Sequence, residues 1–262
     1  MSRARRAAAA PLAAYVLHRW DWSESSLIVD LFTRELGRVV VVAKGAKRPT
    51  SQLRPVLLPF QRLAVTLGRG AADDQAAAEV HPLRAAEWAG GAPLAGGAAL
   101  LSGFYLNELL MKLLARHDAH ATLFDAYADT LAAIGADETA TQAALRAFEL
   151  VLLREIGLLP DLSMATPTQQ ALQPRAAYVL HAETGLVEAS GHGASLHGHG
   201  WVALQAALDR RGVDALRAAC QAHGAPLRTM LRAVLHYHLG TPSLRTRDLV
   251  RELQRLAAPR RP

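Results

Sequence analysis

The chain has 262 residues, 51% of them hydrophobic and only 5% aromatic, so it is long enough for two domains, each with its own core. Its single cysteine, Cys220, excludes an intrachain disulfide framework and a cysteine zinc site. The net charge of +6 is unevenly spread: residues 1–70 hold 12 Lys/Arg against 4 Asp/Glu, residues 71–160 hold 5 against 12, and residues 161–262 hold 12 against 7. A basic head, an acidic middle and a basic tail point to a polyanion-facing surface at one end or both.

Met1–Ala10 carries Arg3, Arg5 and Arg6 before an alanine run that is weakly apolar and soon followed by His18, Arg19 and Asp21. It reads as a frayed arm rather than a signal peptide. No run of about 18 uncharged apolar residues occurs, so no membrane-spanning helix is expected. Five strand-like stretches follow: Ala13–His18, Ser26–Phe32, Val39–Lys44, Phe60–Leu67 and about Ala77–His81. Turn signals at Asp21–Ser23, Glu35–Gly37, Gly45–Pro49 and Gly68–Asp74 separate them. The β-branched run Val39–Val42 disfavours a helix. Five short strands in under 90 residues suit a small closed barrel, which removes exposed sheet edges.

Gly90–Pro93 and Gly96–Gly97 break the pattern and set a domain boundary, giving residues 1–88 and 98–262 as the two domains. From Ala98 the period turns helical, with Leu101, Tyr105, Leu109 and Leu113 on one face. Further helices are expected at Ala121–Ile134 and about Thr139–Gly157. Leu159–Arg175, with Pro160, Pro167 and Pro174, reads as loop. Ala176–Leu180 and Gly185–Ala189 form a candidate hairpin, Gly191–Gly200 a flexible Gly/His loop, and helices return at Trp201–Arg211, Asp214–His223, Pro226–Leu239 and Arg245–Leu256.

The catalytic motifs are missing. Val42–Lys47 lacks the first glycine and the hydroxyl residue of a phosphate-binding loop. There is no dinucleotide fingerprint, no HExxH, no GxSxG and no paired CxxC. His192, His197 and His199 have no further ligand type nearby in sequence, and Cys220 inside a helix reads as an inert thiol. No catalytic residue, metal or cofactor is expected.

Several stretches together resemble the RecO family of bacterial recombination mediators. They are Tyr15–His18, Ser23–Leu27, Leu31–Arg38, Val42–Arg48, Leu58–Phe60, Gly103–Leu110, Leu145–Leu150, Leu153–Gly157 and Leu244–Leu249, in order and at family spacing over most of the chain. The resemblance implies an α+β multidomain fold: a five-stranded OB-fold β-barrel, then a mainly α-helical C-terminal domain with a small hairpin. It implies a non-enzymatic cytoplasmic, nucleoid-associated protein of DNA repair. Such a protein binds single- and double-stranded DNA, anneals complementary strands and helps load the RecA recombinase. Its implied partners are RecR and the C-terminal tail of the single-stranded-DNA-binding protein. Some family members hold zinc with four cysteines after the third helix; residues 160–191 here contain none, so packing is expected to replace the metal.

The phosphate-binding cations expected on the barrel are Arg19, Arg34, Arg38, Lys44, Lys47, Arg48 and Arg54, three of them in the turn Lys44–Pro49. Tyr15, Phe32 and Phe60 are expected in the barrel core, with Trp20 or Trp22 exposed in a turn; binding is then mainly electrostatic and indifferent to sequence. For the partner tail, Arg146, Phe148 and Arg154 are the candidates. Arg146 would hold the terminal carboxylate, or both arginines would pair with Glu149 and Glu155. Arg245, Arg247, Arg251 and Arg255 either extend the DNA path or form a solvated helix face. An RNA-binding OB protein also needs a basic barrel, and only the helical domain separates the two. A nuclease or glycosylase would need positioned carboxylates, and residues 1–70 hold only Asp21, Glu24, Asp30 and Glu35, scattered over turns and strands.

Overall fold

A computed structural model describes residues 10–68, 80–91, 96–210, 212–240, 244–246, 248, 249, 252 and 255. The N-terminal arm at 1–9, the turn at 69–74, positions 77–79 of the fifth expected strand, and Arg247 and Arg251 lie outside the described residues. Two compact units emerge: Met1–Pro93 with Leu114–Phe124, and Leu94–Leu113 with Asp125–Pro262.

In the first unit, β1 (Leu12–Asp21), β2 (Leu27–Thr33), β3 (Gly37–Ala43), β4 (Arg62–Leu67) and β5 (Val80–Trp88) close into a barrel of order β1-β2-β3-β5-β4. The β3–β5 pairing is parallel and the others antiparallel, which is OB-type topology. Alternation fills the interior with Val16, Val29, Leu31, Val39, Val41, Leu63 and Val65. Leu53, Val56 and Leu57, from the connection between β3 and β4, pack against this core. A bulge between Val16 and His18 shifts the register of β1. β4 pairs with Leu12–Tyr15 and Val16 bridges to Pro59, so β1 outruns β4 and its His18–Asp21 stretch is paired with β2.

Tyr15 and Phe32 are buried, but on the outside of the barrel. Tyr15 pairs with Phe32, and Phe32 with Arg38, so the three share a face opposite the neighbouring core residue Leu31. The Leu114–Phe124 segment covers them: the Phe124 ring lies 5.3 Å from that of Tyr15 and 5.4 Å from that of Phe32. The His117 N–H donates to the Arg38 carbonyl at 2.9 Å. The expectation of a barrel core for these rings is corrected, since alternation assigns a residue to a face but not to the inside. Gly37 makes the covering possible: its φ is +67°, and a Cβ there would lie 1.7 Å from the Asp118 carbonyl oxygen.

The helices are α1 (Ala98–Leu113), α2 (Ala121–Ala133), α3 (Glu138–Glu155), α4 (Gly198–Asp209) and α5 (Val213–Leu239). The Asp137 carboxylate caps α3 by accepting from Ala140 N–H at 2.7 Å. The helix is then buried almost continuously from Ala143 to Leu153. In the second unit, the Tyr127 hydroxyl donates to Asn107 Oδ1 at 2.6 Å, satisfying two buried polar groups at once.

Two helices were expected where α5 runs unbroken through Pro226. Proline removes one backbone hydrogen bond and costs about 3 kcal/mol in a helix interior. Here Pro226 and Ala222, the residue whose carbonyl loses its helical donor, are both exposed, so the lost bond falls on the solvent side of the helix. The apolar stripe Leu216, Cys220, Leu227, Leu231, Val234 and Leu235 continues across the break and is buried throughout.

Residues 160–191 fold into short strands: β6 (Met164–Ala165) with β7 (Gln170–Ala171), and β8 (Ala177–His181) with β9 (Gly185–Glu188); beyond them, β10 (Leu196–His197) also pairs with β8. Tyr178, Leu180, Leu186, Leu196 and Trp201 are buried, and the Trp201 indole N–H donates to the Tyr178 carbonyl at 3.2 Å. The expected flexible Gly/His loop is only partly that. His197 closes β10, and Gly198 and His199 open α4; the His197 Nδ1 lies 3.0 Å from the Arg175 carbonyl and the His199 Nδ1 2.9 Å from that of Pro174. Gly198 serves close approach here, because a Cβ would sit 2.2 Å from the Gln173 carbonyl oxygen. Among the described residues no group of three or more His, Cys, Asp or Glu is placed to hold a metal.

Candidate nucleic-acid interface

The ends of β1, β3 and β5 and the starts of β2 and β4 share one end of the barrel. Lys44, Lys47 and Arg48 leave the end of β3 there. Lys47 fastens the β1–β2 loop: its Nζ donates to Asp21 Oδ2 at 3.1 Å and to the Ser23 carbonyl at 3.0 Å, and its backbone N–H donates to the Ser25 carbonyl at 2.9 Å. Within the loop, Trp22 N–H donates to the Ser26 carbonyl at 3.2 Å. Gly45, at φ +72°, turns the chain so that a Cβ there would come 3.7 Å from the Arg48 side chain. Lys44, Arg48 and Arg54 are exposed and engage no carboxylate among the described residues. Arg19 is exposed too, its guanidinium donating to the Leu57 carbonyl at 3.1 Å.

Two of the seven expected cations fall elsewhere. Arg34, in the β2–β3 turn, sits at the opposite barrel end, one strand length away, on the order of 20 Å. Arg38 is a structural residue. Its Nε donates to both Asp30 oxygens, at 3.1 and 3.0 Å, its second nitrogen lies 2.9 Å from Oδ2, and its third donates to the Leu114 carbonyl at 3.2 Å. With its side chain 13% exposed and that of Asp30 fully buried, this guanidinium is committed to a carboxylate that would otherwise be stranded.

The outer face of the sheet near the same end is apolar. Trp20 pairs with Ile28, Ile28 with Val42 and Val42 with Pro82, which makes one row across four strands. The Trp20 ring lies edge-to-face on His18, centroids 4.4 Å apart. Trp20 is 40% and Trp22 64% exposed.

The second unit carries a groove of about 620 Å³ between α1, α3 and α5. Leu101, Tyr105, Leu145, Leu235 and Leu244 supply apolar walls, and Arg146, Arg228 and Arg232 supply positive charge, with His236 beside them. Arg146 is buried and gives one nitrogen to Glu149 Oε1, which also accepts from the Tyr105 hydroxyl at 2.6 Å. Burial alone would lower the Arg146 pKa, but Glu149, together with Tyr105, outweighs it and raises it. Burial, reinforced by Glu149, holds the Tyr105 phenol well above its ordinary range. Nearby, Glu108 accepts from Arg245 N–H, Thr246 N–H and the Thr246 hydroxyl at 2.9, 3.0 and 2.6 Å. Burial pushes its pKa up, but these bonds and that from Lys112 hold it below the usual value.

Of the three residues expected at a partner-tail site, only Arg146 borders this groove. Phe148 lies on the other side of α3, fully buried against Tyr127 with ring centroids 6.2 Å apart. Arg154 donates to the Leu208 carbonyl at the end of α4 and lies 3.6 Å from Asp209. Both expectations are corrected. A spacing of eight leaves Arg146 and Arg154 on one side of α3, but different elements pack over each turn. Arg228, Arg232 and His236 were missed. Their i, i+4, i+8 spacing on the solvent face of an amphipathic helix was the available signal.

The family description "Recombination protein O N terminal" matches residues 11–75, and "Recombination protein O C terminal" matches residues 96–248. The DNA repair protein RecO of Acidovorax ebreus is 52% identical over 265 residues, covering 97% of this chain and 99% of its own length. That of Polaromonas sp. is 52% identical over 247 residues, 93% and 96% of the two chains. That of Variovorax paradoxus is 50% identical over 266 residues, 98% and 100%. Matched along both units, in order and at half identity, the chain belongs to the RecO family of DNA repair and recombination proteins, mediators that catalyse no covalent step.

Proposed function

We propose that the chain binds single- and double-stranded DNA at the basic end of its barrel and anneals complementary strands. With RecR, it helps load RecA on strands coated by single-stranded-DNA-binding protein. Residues 1–88 are then the nucleic-acid-binding domain and 98–262 the partner-binding domain, with Leu114–Phe124 working as part of the barrel unit. The observation that carries this is the cluster of Lys44, Lys47 and Arg48 on a pinned loop system, flanked by Arg19 and Arg54. Cations on an ordered frame neutralise successive phosphates and release their counterions, whatever the base sequence. Family membership favours DNA over the RNA-binding alternative. On this proposal the work is done in the bacterial cytoplasm, on the nucleoid, where the DNA lies. Among the described residues no helix is long and apolar enough to cross a membrane.

The acidic, apolar C-terminal tail of the single-stranded-DNA-binding protein fits the α1–α3–α5 groove. Apolar tail side chains meet Leu101, Leu145 and Leu235, and the exposed Arg228 and Arg232 meet its carboxylates. Arg146, neutralised by Glu149, shapes the floor. Strand annealing with and without single-stranded-DNA-binding protein tests both halves. Charge reversal at Lys44, Lys47 and Arg48 abolishes annealing of naked strands, whereas Arg228→Ala with Arg232→Ala loses only the annealing of coated strands. Full activity of both variants on both substrates refutes the reading.

A further inference from the structure

We propose that the outer face of β1–β2–β3, where β1 outruns β4, is a base-stacking site for unpaired nucleotides, with Trp20 and Trp22 as its aromatic platforms. This rests on the barrel being the DNA-binding unit and adds a preference that phosphate contacts alone do not confer.

Two indoles within three residues stand exposed, at 40% and 64%. Their backbone is held. Trp20 is fixed in the β1–β2 ladder opposite Ile28, and His18 braces its ring at 4.4 Å. Trp22 stands in a loop closed by its own N–H to Ser26 and tied to Lys47 by three further bonds. A ring braced before a ligand arrives, as Trp20 is by His18, loses little entropy on binding it, and the held backbone of Trp22 limits what its loop must lose. An indole face stacks on any base, so the site tolerates sequence but requires the base to be unpaired.

The surroundings suit a nucleic-acid strand. Ile28, Val42 and Pro82 continue the apolar row from Trp20, and Lys44 follows Val42 by two positions at the end of β3. The carboxylates nearby are mostly neutralised: Asp30 by Arg38 and Asp21 by Lys47. Glu24 is exposed in the loop without a cation partner among the described residues. The cations hold the sugar-phosphate chain at the rim while bases turn onto the indoles. In a duplex the bases are already stacked and paired, and only the phosphate contacts remain.

The test compares the full chain on three probes of equal length: an ordinary single strand, a wholly abasic single strand and a duplex. The wild type binds the ordinary strand at least about fivefold more tightly than the abasic one, the lower bound for one stacked base. Trp22→Leu and Trp20→Leu each reduce that ratio and together bring it to one, leaving abasic and duplex affinities as they were. Trp20→Phe, which keeps a ring with less area, retains part of it and guards against a folding defect. Equal wild-type affinity for ordinary and abasic strands, or a ratio unmoved in the double variant, overturns the stacking site alone. Binding to none of the probes overturns it together with the barrel reading.

Discussion

The division of the barrel arginines and lysines into phosphate-facing and structural groups gives a quantitative prediction. Of the seven expected cations, five remain at one end: Arg19, Lys44, Lys47, Arg48 and Arg54. At about 0.7 counterions released per phosphate on a single strand, the salt slope is about −3.5, and affinity falls about 100-fold between about 50 and about 200 mM salt. Lys44→Gln with Arg48→Gln removes two contacts, brings the slope to about −2.1 and reduces the fall to about 20-fold. Arg38 behaves differently. Arg38→Met alone strands the fully buried Asp30 carboxylate and costs about 3–5 kcal/mol. At a urea m-value of about 2 kcal/mol/M, that lowers the unfolding midpoint by about 2 M. Asp30→Asn with Arg38→Met removes both charges, recovers most of the midpoint and leaves the slope at about −3.5. Fluorescence anisotropy of a labelled oligonucleotide over a salt series reads the slopes, and urea unfolding reads the midpoints. A double variant at Asp30 and Arg38 that flattens the slope as much as the Lys44/Arg48 pair would refute the assignment. So would a slope unmoved by the loss of Lys44 and Arg48.

Gly37→Ala should release the Leu114–Phe124 segment from the barrel, because the new methyl would meet the Asp118 carbonyl at 1.7 Å in a left-handed backbone; hydrogen exchange at the His117 and Phe124 amides should rise, and unchanged protection would contradict the packing. Stability should fall as pH drops from 7.5 toward 5.5. Burial, aided by His117, holds the His81 pKa below its ordinary value, and burial with His199 does the same for His223. The unfolded chain therefore takes up more protons in this window, so the stability present above the ordinary histidine pKa, about 6.5, is lost below it. Urea midpoints at the two pH values check the sign, and His81→Asn with His117→Asn should shrink the difference. The Cys220 thiol, pushed up to about 12 by burial, should resist a thiol reagent at neutral pH in the native protein and react promptly in denaturant; rapid native labelling would show that the α3–α5 packing is looser than described.

Much of the architecture follows from local pattern. The strands around Val29, Val41 and Val65 were readable because β-branched alternation and turn residues act within a few positions. The helices were readable because apolar residues such as Leu101, Tyr105, Leu109 and Leu113, or Leu145, Phe148 and Leu152, recur at a spacing that one buried stripe requires. The charge excess of the first 70 residues was equally plain. What those cations touch was not, because it depends on chain distant in sequence. Arg38 is taken out of the DNA-binding set by Asp30 across the sheet and by Leu114, 76 residues away. Tyr15 and Phe32 were placed inside the barrel until Phe124 covered them from outside. Phe148 and Arg154 were drawn to a tail site that Arg228 and Arg232 share instead with Arg146 alone, an arrangement set by α5 lying along α3. Pro226 breaks a helix in isolation but not one whose apolar stripe is buried on both sides of it. Periodicity and composition are short-range properties and determine the elements and the sign of the surface. Which side chains are free to meet a ligand is decided by long-range packing and charge pairing, which exist only once the chain has folded.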